Sequence, residues 1–228
     1  MFKKIIETGA TRALNILIGI ANMVLGAKML GAAEWGIGNM VLVDVTFLLI
    51  GIELLSGSGL VYFTPRKRLS TLMVVSYSWI LLTTSLYALF FIILSYFPST
   101  FHTIVPEGYA VITLLMVLVY SFHNFNMNIL LGKEKVSQYN WVFLSKIVSH
   151  INDARAFVYS LLSGYTIGTF VGFSFLFGML KRERPESIWA TAKEMFNYGA
   201  VIQLSTLVST LNKRLSMYLI MQHCGKRE

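Results

Sequence analysis

Long apolar stretches recur along this chain, and a transmembrane helix needs about 20 mostly apolar residues. Stretches of about that length cover residues 10–30, 37–55, 72–96, 109–131, 157–180 and 197–223. A weaker one, residues 136–151, is interrupted by Lys146 and His150. The sequence therefore predicts an all-α polytopic membrane protein with six to seven transmembrane helices, numbered 1–7 in chain order with the weak one fifth.

Composition agrees with residence in lipid. Hydrophobic residues make up 55% of the chain and charged residues 13%, against roughly 45–50% and about 25% in soluble domains. Few residues are therefore available to form a soluble domain.

The net charge of +8 is distributed in a way that predicts topology. Basic residues cluster at the N-terminus and in alternate loops: Lys3 and Lys4, Arg66 to Arg68, Lys133 and Lys135, and Lys181, Arg182, Arg184 and Lys193. Cytoplasmic loops carry such an excess of Lys and Arg. The pattern places the N-terminus in the cytoplasm, provided that helix 5 crosses. Since topology accounts for the charge, no nucleic-acid partner is predicted.

Two acidic residues fall within predicted helix 2. Asp44 and Glu53 are nine positions apart, which at about 100° per residue leaves them half a turn out of phase. A straight helix cannot direct both into one cavity, so we expect different roles. Both are candidate ion-coupling residues, and Glu53 could equally pair with a basic residue.

Predicted helices 1 and 4 each carry a polar stripe. Arg12, Asn15 and Asn22 share one face of helix 1, and Asn124 and Asn128 are four residues apart on helix 4. Amides bind sugar hydroxyls, so these five are candidate substrate-binding residues. Interhelical hydrogen bonding uses the same residue types, and that alternative stays open.

Predicted helix 7 has one polar and one aliphatic half. Lys213 and Arg214 lie close to its centre, where a charge costs at least about 2.5–3.5 kcal/mol on insertion scales. Such residues line a pathway or pair with a partner. They are therefore candidate substrate-binding residues, and the alternative is an ion pair with Asp44 or Glu53.

No nucleotide-binding, metalloprotease, serine-hydrolase or CxxC motif occurs in the sequence. The sequence therefore predicts neither an enzyme nor a cofactor or metal site.

A weak internal repeat relates residues 7–34 to residues 197–228, with Gly9 corresponding to Gly199. The repeat predicts that helix 7 begins a second copy of a six-helix unit. The predicted domains are residues 1–186, a six-helix bundle, and residues 187–228, the truncated start of a second bundle.

At these and other residues the sequence resembles the Wzx-like polysaccharide flippases of the multidrug/oligosaccharidyl-lipid/polysaccharide superfamily. The resemblance is carried by KMLGAAEWGIGNMVL (28–42), GLVYF (59–63), ILLGKEKVSQYN (129–140) and LNKRLSMYLI (211–220). Family members often carry an acidic residue near the position of Ser216. This chain has no acidic residue there.

The resemblance implies a two-bundle fold in the bacterial cytoplasmic membrane that flips an undecaprenyl-pyrophosphate-linked oligosaccharide. The product would serve O-antigen, capsule or exopolysaccharide synthesis. Implied partners are the lipid-linked oligosaccharide, membrane lipid, and a second-bundle chain or a polysaccharide polymerase complex. Two alternatives remain: a multidrug or small-molecule antiporter of the same fold, and a non-transporting assembly subunit of the membrane.

Overall fold

A computed structural model of the chain describes residues 2–98, 101, 105–144, 153–180 and 184–224. Its helices in these ranges are α1 (Phe2–Ser56), α2 (Gly59–Phe63), α3 (Leu69–Ser95), α4 (Ala110–Gly132), α5 (Val136–Leu144), α6 (Ala154–Met179) and α7 (Ile188–Cys224). No strand occurs within them. The all-α prediction is confirmed for this part of the chain.

Four helices in the described ranges are long and apolar enough to cross a membrane. They are Ala33–Phe63, Leu69–Ser95, Ala110–Gly132 and Ala154–Met179, with mean hydropathy from 2.0 down to 1.4. They correspond to predicted helices 2, 3, 4 and 6. These helices are compatible with the predicted multi-pass membrane protein.

Helix α1 contains the first two predicted transmembrane helices, and Gly31 divides it. Gly31 has φ 73° and ψ 170°, a conformation that glycine adopts without a Cβ clash. The break falls between the first two predicted helices, residues 10–30 and 37–55, so the boundary predicted from the sequence agrees with the structure.

Helix α7 begins nine residues before the predicted start at residue 197. The prediction followed the apolar run, whereas the added turns carry the exposed Trp189 and the charged pair Lys193 and Glu194. Glu194 forms an ion pair of 2.7 Å with Lys67. These first turns of α7 carry exposed aromatic and charged side chains, so a hydropathy profile does not detect them as part of the helix.

Interhelical contacts fix the direction in which each helix runs. In the second part of α1 (residues 33–56), Glu34 near the start accepts a hydrogen bond from the amide of Ala154 at the start of α6, and Glu53 near the end is bonded by Asn124 of α4. Between α4 and α6, Gly108 lies close to Arg155 at one end and Asn126 donates to the Thr169 carbonyl further along. These three segments therefore run the same way.

Helices α3 and α7 run against this part of α1. Ser76 bonds the Leu55 carbonyl and Trp79, further along α3, bonds the Gly51 carbonyl. Tyr198 stacks on Tyr62, and Gln203, further along α7, bonds Glu53.

This arrangement gathers the basic loops at one end of the bundle, which we call the basic end. It carries the loop from Pro65 to Arg68, Lys133 after α4, and the end of α6 at Met179. The opposite end carries Gly108, close to Arg155.

Helix α4 lies at the centre and α3 at the periphery. In the most apolar 18-residue segment of each helix, 50% of α4 is buried inside the bundle, against 17% of α3. The outward face of α3 presents Leu82, Leu86, Leu89 and Ile93, each more than half exposed. An apolar helix face of this kind is expected against lipid and not against water.

Candidate functional site

A carboxylate held by two amides lies inside the helical bundle. Glu53 of α1 accepts a hydrogen bond from Asn124 Nδ2 of α4 at 2.8 Å on Oε1. Its other oxygen, Oε2, accepts from Gln203 Nε2 of α7 at 3.3 Å. Three helices from distant parts of the sequence thus meet at one acidic side chain.

A glycine brings α7 close enough to α1 for this contact. Gly199 lies one turn before Gln203, and a Cβ at position 199 would overlap the carbonyl oxygen of Leu54. The two backbones therefore touch, which only a residue without a side chain permits. Next to this contact, Tyr198 stacks on Tyr62 with ring centroids 4.9 Å apart.

Glu53 opens onto a cavity of about 290 Å³ between α1, α4, α6 and α7. Its lining combines aliphatic and polar side chains: Leu42, Val45, Thr46, Leu49, Ile50, Glu53, Met116, Tyr120, Tyr165 and Thr206. The Tyr120 and Tyr165 rings pack edge to face at 4.8 Å, and His123 packs against Tyr165 at 5.4 Å. Glu53 provides the acidic group of the cavity wall.

The hydrogen bonds explain how an acidic side chain is tolerated here. Burying an unpaired charge in an apolar medium is costly, and hydrogen bonds to the charged form offset that cost. Among the described residues, the two amides are the hydrogen-bond partners of Glu53, and no basic side chain pairs with it. The buried Oε1 of Gln203 and Nδ2 of Asn128 have no hydrogen-bond partner in this part of the chain. Neither residue is among those that line the cavity, so these two atoms lie behind its wall.

The sequence-predicted residues divide into three groups. Glu53 and Asn124 are brought together directly, and Asn128 lies one turn beyond Asn124. Asp44 lies nine residues before Glu53 and is not part of the cavity lining, in agreement with the half-turn phase difference. The side chains of Arg12, Asn15, Asn22, Lys213 and Arg214 lie outside the described residues.

Gln203 and Tyr165 were not among the residues selected from the sequence. Gln203 lies on the polar half of predicted helix 7, and its proximity to Gly199 in the same helix was the available signal. Tyr165 lies in an apolar run of α6 that gives no periodic indication of a cavity. Only the parallel packing of α4 and α6 brings it to Tyr120.

Within the described ranges, no group of three or more His, Cys, Asp or Glu side chains is placed to hold a metal ion. Comparison with models of known protein families, with curated proteins and with solved structures finds no match.

Proposed function

We propose that this chain takes part in flipping an undecaprenyl-pyrophosphate-linked oligosaccharide across the bacterial cytoplasmic membrane. It would form the first bundle and helix 7 of a two-bundle transporter, with its N-terminus in the cytoplasm. The observation that carries the proposal is Glu53, held by Asn124 and Gln203 at the wall of an intrabundle cavity.

A transported sugar needs hydrogen-bonding groups inside the membrane, and the cavity offers them. The Thr46 and Thr206 hydroxyls lie in its wall. Each donates to a carbonyl of its own helix, of Leu42 and Ile202 respectively, and its oxygen can accept a further hydrogen bond. Intramembrane polar residues that face a bundle interior usually mark a substrate or ion pathway. In the same proposal, the pyrophosphate is bound by Lys213 and Arg214 and the lipid tail remains in the bilayer.

Glu53 is also a candidate for coupling transport to an ion. Its two partners come from α4 and α7, so any change at the carboxylate acts on the contact between α1 and α7. A proton or cation that bound there would compete with the Gln203 hydrogen bond. That competition offers a way for α7 to move relative to α1 during transport.

The experiment replaces Glu53 by Gln in the complete protein and measures surface polysaccharide in a flippase-deficient strain. We expect export to be abolished while the amount of protein in the membrane stays normal. The control is Glu107→Gln, which changes an exposed carboxylate in a loop at the opposite end and should leave export intact. Normal export by Glu53→Gln would contradict the proposal.

The carboxylate in the cavity also favours a second candidate, a cation-coupled antiporter of small molecules. An antiporter would expel a cationic dye from cells, and Glu53→Gln would abolish that efflux without altering polysaccharide. The third interpretation, a non-transporting assembly subunit, predicts that Glu53→Gln changes neither dye efflux nor surface polysaccharide. The described connection between α4 and α5 is three residues, Lys133 to Lys135, which offers little surface for recruiting enzymes.

A further inference from the structure

A second cavity, of about 650 Å³, lies at the basic end and is distinct from the Glu53 cavity. Its lining comes from the loop before α3, from the residue after α4 and from the end of α6: residues 65–70, Lys133 and residues 178–180. The volume is within the range of about 300–1,000 Å³ typical of ligand sites. We call it the basic cavity.

The charge of the basic cavity is one-sided. Four cations line it, Arg66, Lys67, Arg68 and Lys133, and no carboxylate does so among the described residues. Lys67 and Arg68 are neutralised from outside the lining, by Glu194 and Glu186 at 2.7 Å each. Arg66 and Lys133 have no acidic partner in the part of the chain that the structure describes. Counted over the described residues, the cavity thus keeps an uncompensated positive charge.

Two of the cations, Arg66 and Arg68, are held in place. Arg66 donates to the Tyr62 carbonyl at 2.6 Å, and its guanidinium lies 3.8 Å from the centroid of the Tyr62 ring. Arg68 also donates to the Arg184 carbonyl at 3.3 Å. A guanidinium fixed in this way loses less entropy on binding an anion than a free surface side chain does.

The start of α3 adds donors to the same cavity. Helix α3 is 27 residues long and begins at Leu69, and the Arg68 side chain does not cap it. The first amide groups of a helix lack intrahelical partners and favour negative charge. The Ser70 hydroxyl oxygen is buried and has no hydrogen-bond partner among the described residues. Cations, helix amides and a spare hydroxyl therefore converge on one space.

The rest of the lining is apolar, from Leu69, Met179 and Leu180. Leu69 begins α3, Met179 ends α6 and Leu180 follows it, and both helices are apolar enough to span a membrane. A ligand with an anionic head beside a hydrocarbon part matches both kinds of wall. Basic pockets between transmembrane helices on the cytoplasmic side bind the head groups of anionic lipids.

We propose that the basic cavity binds a phosphate group presented by an anionic phospholipid head group at the membrane surface. Arg66, Lys133 and the first turn of α3 contact the phosphate, and Leu69, Met179 and Leu180 contact the adjacent carbons. The site requires only that the basic end lies at a membrane surface. It is therefore independent of what the Glu53 cavity transports.

The test measures binding of phosphatidylglycerol to the purified full chain in neutral detergent by native mass spectrometry, with phosphatidylcholine as the reference lipid. The test variant combines Arg66→Gln and Lys133→Gln. Each cation near a membrane surface contributes about five-fold in affinity, so we expect phosphatidylglycerol binding to weaken about 25-fold and phosphatidylcholine binding to be unchanged.

The control combines Lys135→Gln and Lys193→Gln, which removes the same charge from the same end but outside the basic cavity. It should keep phosphatidylglycerol binding within about two-fold of the unmodified chain. An equal loss in both double variants would overturn the site in favour of general surface attraction. So would unchanged binding in the test variant.

Two further measurements, on a Ser70→Asp variant and with inorganic phosphate as competitor, can contradict the proposal. Ser70→Asp places a carboxylate in the first turn of α3, where it favours the helix and occupies the anion position. We expect lost phosphatidylglycerol binding with thermal stability preserved, and retained binding would contradict the site. Displacement of the lipid by millimolar inorganic phosphate would assign the cavity to free phosphate and reject the lipid. If export depends on Glu53 but lipid binding fails these tests, only this inference is lost.

Discussion

The side-chain amide of Asn124 donates a hydrogen bond of 2.8 Å to the carboxylate of Glu53, 71 positions earlier in the chain. The bond joins the middle of the bundle to the helix that meets α7. With the Gln203 bond at 3.3 Å, it makes one acidic residue the common point of α1, α4 and α7. A change at either amide should therefore be felt in stability as well as in transport.

We predict that Asn124→Leu lowers the free energy of unfolding in detergent by roughly 1.5–3 kcal/mol, since hydrogen bonds to charged groups contribute about that much. The matched control is Asn39→Leu. Among the described residues, Asn39 donates only to the Trp35 carbonyl of its own helix, so its loss should cost about 0.5–1.5 kcal/mol.

A double-mutant cycle identifies the cause. In a Glu53→Leu background the Asn124→Leu change leaves no carboxylate without its donor, so its cost should shrink markedly. An undiminished cost would mean that Asn124 stabilises the protein through packing and not through Glu53.

Gly199 gives a second prediction, about the contact between α1 and α7. A Cβ at this position would overlap the Leu54 carbonyl oxygen, so Gly199→Ala must push the two helices apart. We expect a loss of roughly 1–3 kcal/mol, the usual cost of overpacking, together with loss of export.

Gly36→Ala is the control for that change. No atom of another described segment lies within 4 Å of a Cβ at position 36, and Ala is better than Gly in a helix by about 0.8–1 kcal/mol. The control should be neutral or stabilising. Equal effects of the two substitutions would show that helix propensity, and not the close contact, decides the outcome.

Much of this fold was accessible from the sequence, because long apolar runs and the break at Gly31 are local signals. The alternation of basic loops likewise predicted that Arg66 and Lys133 share one end of the bundle. Helix α7 was predicted too short, since its first turns carry Trp189 and Lys193 and raise no hydropathy peak. A hydropathy pattern reports the part of a helix that lies in lipid and not where the helix begins.

The site was accessible only in part. The sequence singled out Glu53 and Asn124 separately, because polar residues within apolar helices stand out one at a time. Their contact depends on α1 and α4 running in parallel, which no short-range pattern encodes. Gln203 joins them through the close approach at Gly199, and the lone glycine carried no indication of its partner.

The third prediction concerns which end faces the cytoplasm. In a Cys224→Ser background, Arg66→Cys and Glu107→Cys place single thiols in exposed loops at the basic and opposite ends. The positive-inside pattern predicts that a membrane-impermeant thiol reagent added to intact cells labels position 107 and not position 66. Labelling of position 66 from outside would invert the topology.

The last prediction concerns Lys213 and Arg214. Gln203 lies beside Glu53, and α1 and α7 are antiparallel. At about 1.5 Å per residue, Asp44 lies roughly 13 Å from Glu53 and residue 213 roughly 15 Å from Gln203, both toward the opposite end. The backbone of residue 213 and that of Asp44 are therefore at similar depth, which makes a structural ion pair the alternative that has to be excluded.

We expect that the double change Lys213→Gln and Arg214→Gln abolishes export in the complete protein while its level in the membrane stays normal, because the two cations bind the pyrophosphate. A structural pair predicts a different result. Removing the cations would strand a buried carboxylate at a cost of roughly 3–5 kcal/mol, so the protein level would fall, and adding Asp44→Asn would restore it. Normal level with lost export therefore supports substrate binding, a low level rescued by Asp44→Asn supports the ion pair, and normal export removes both residues from the mechanism.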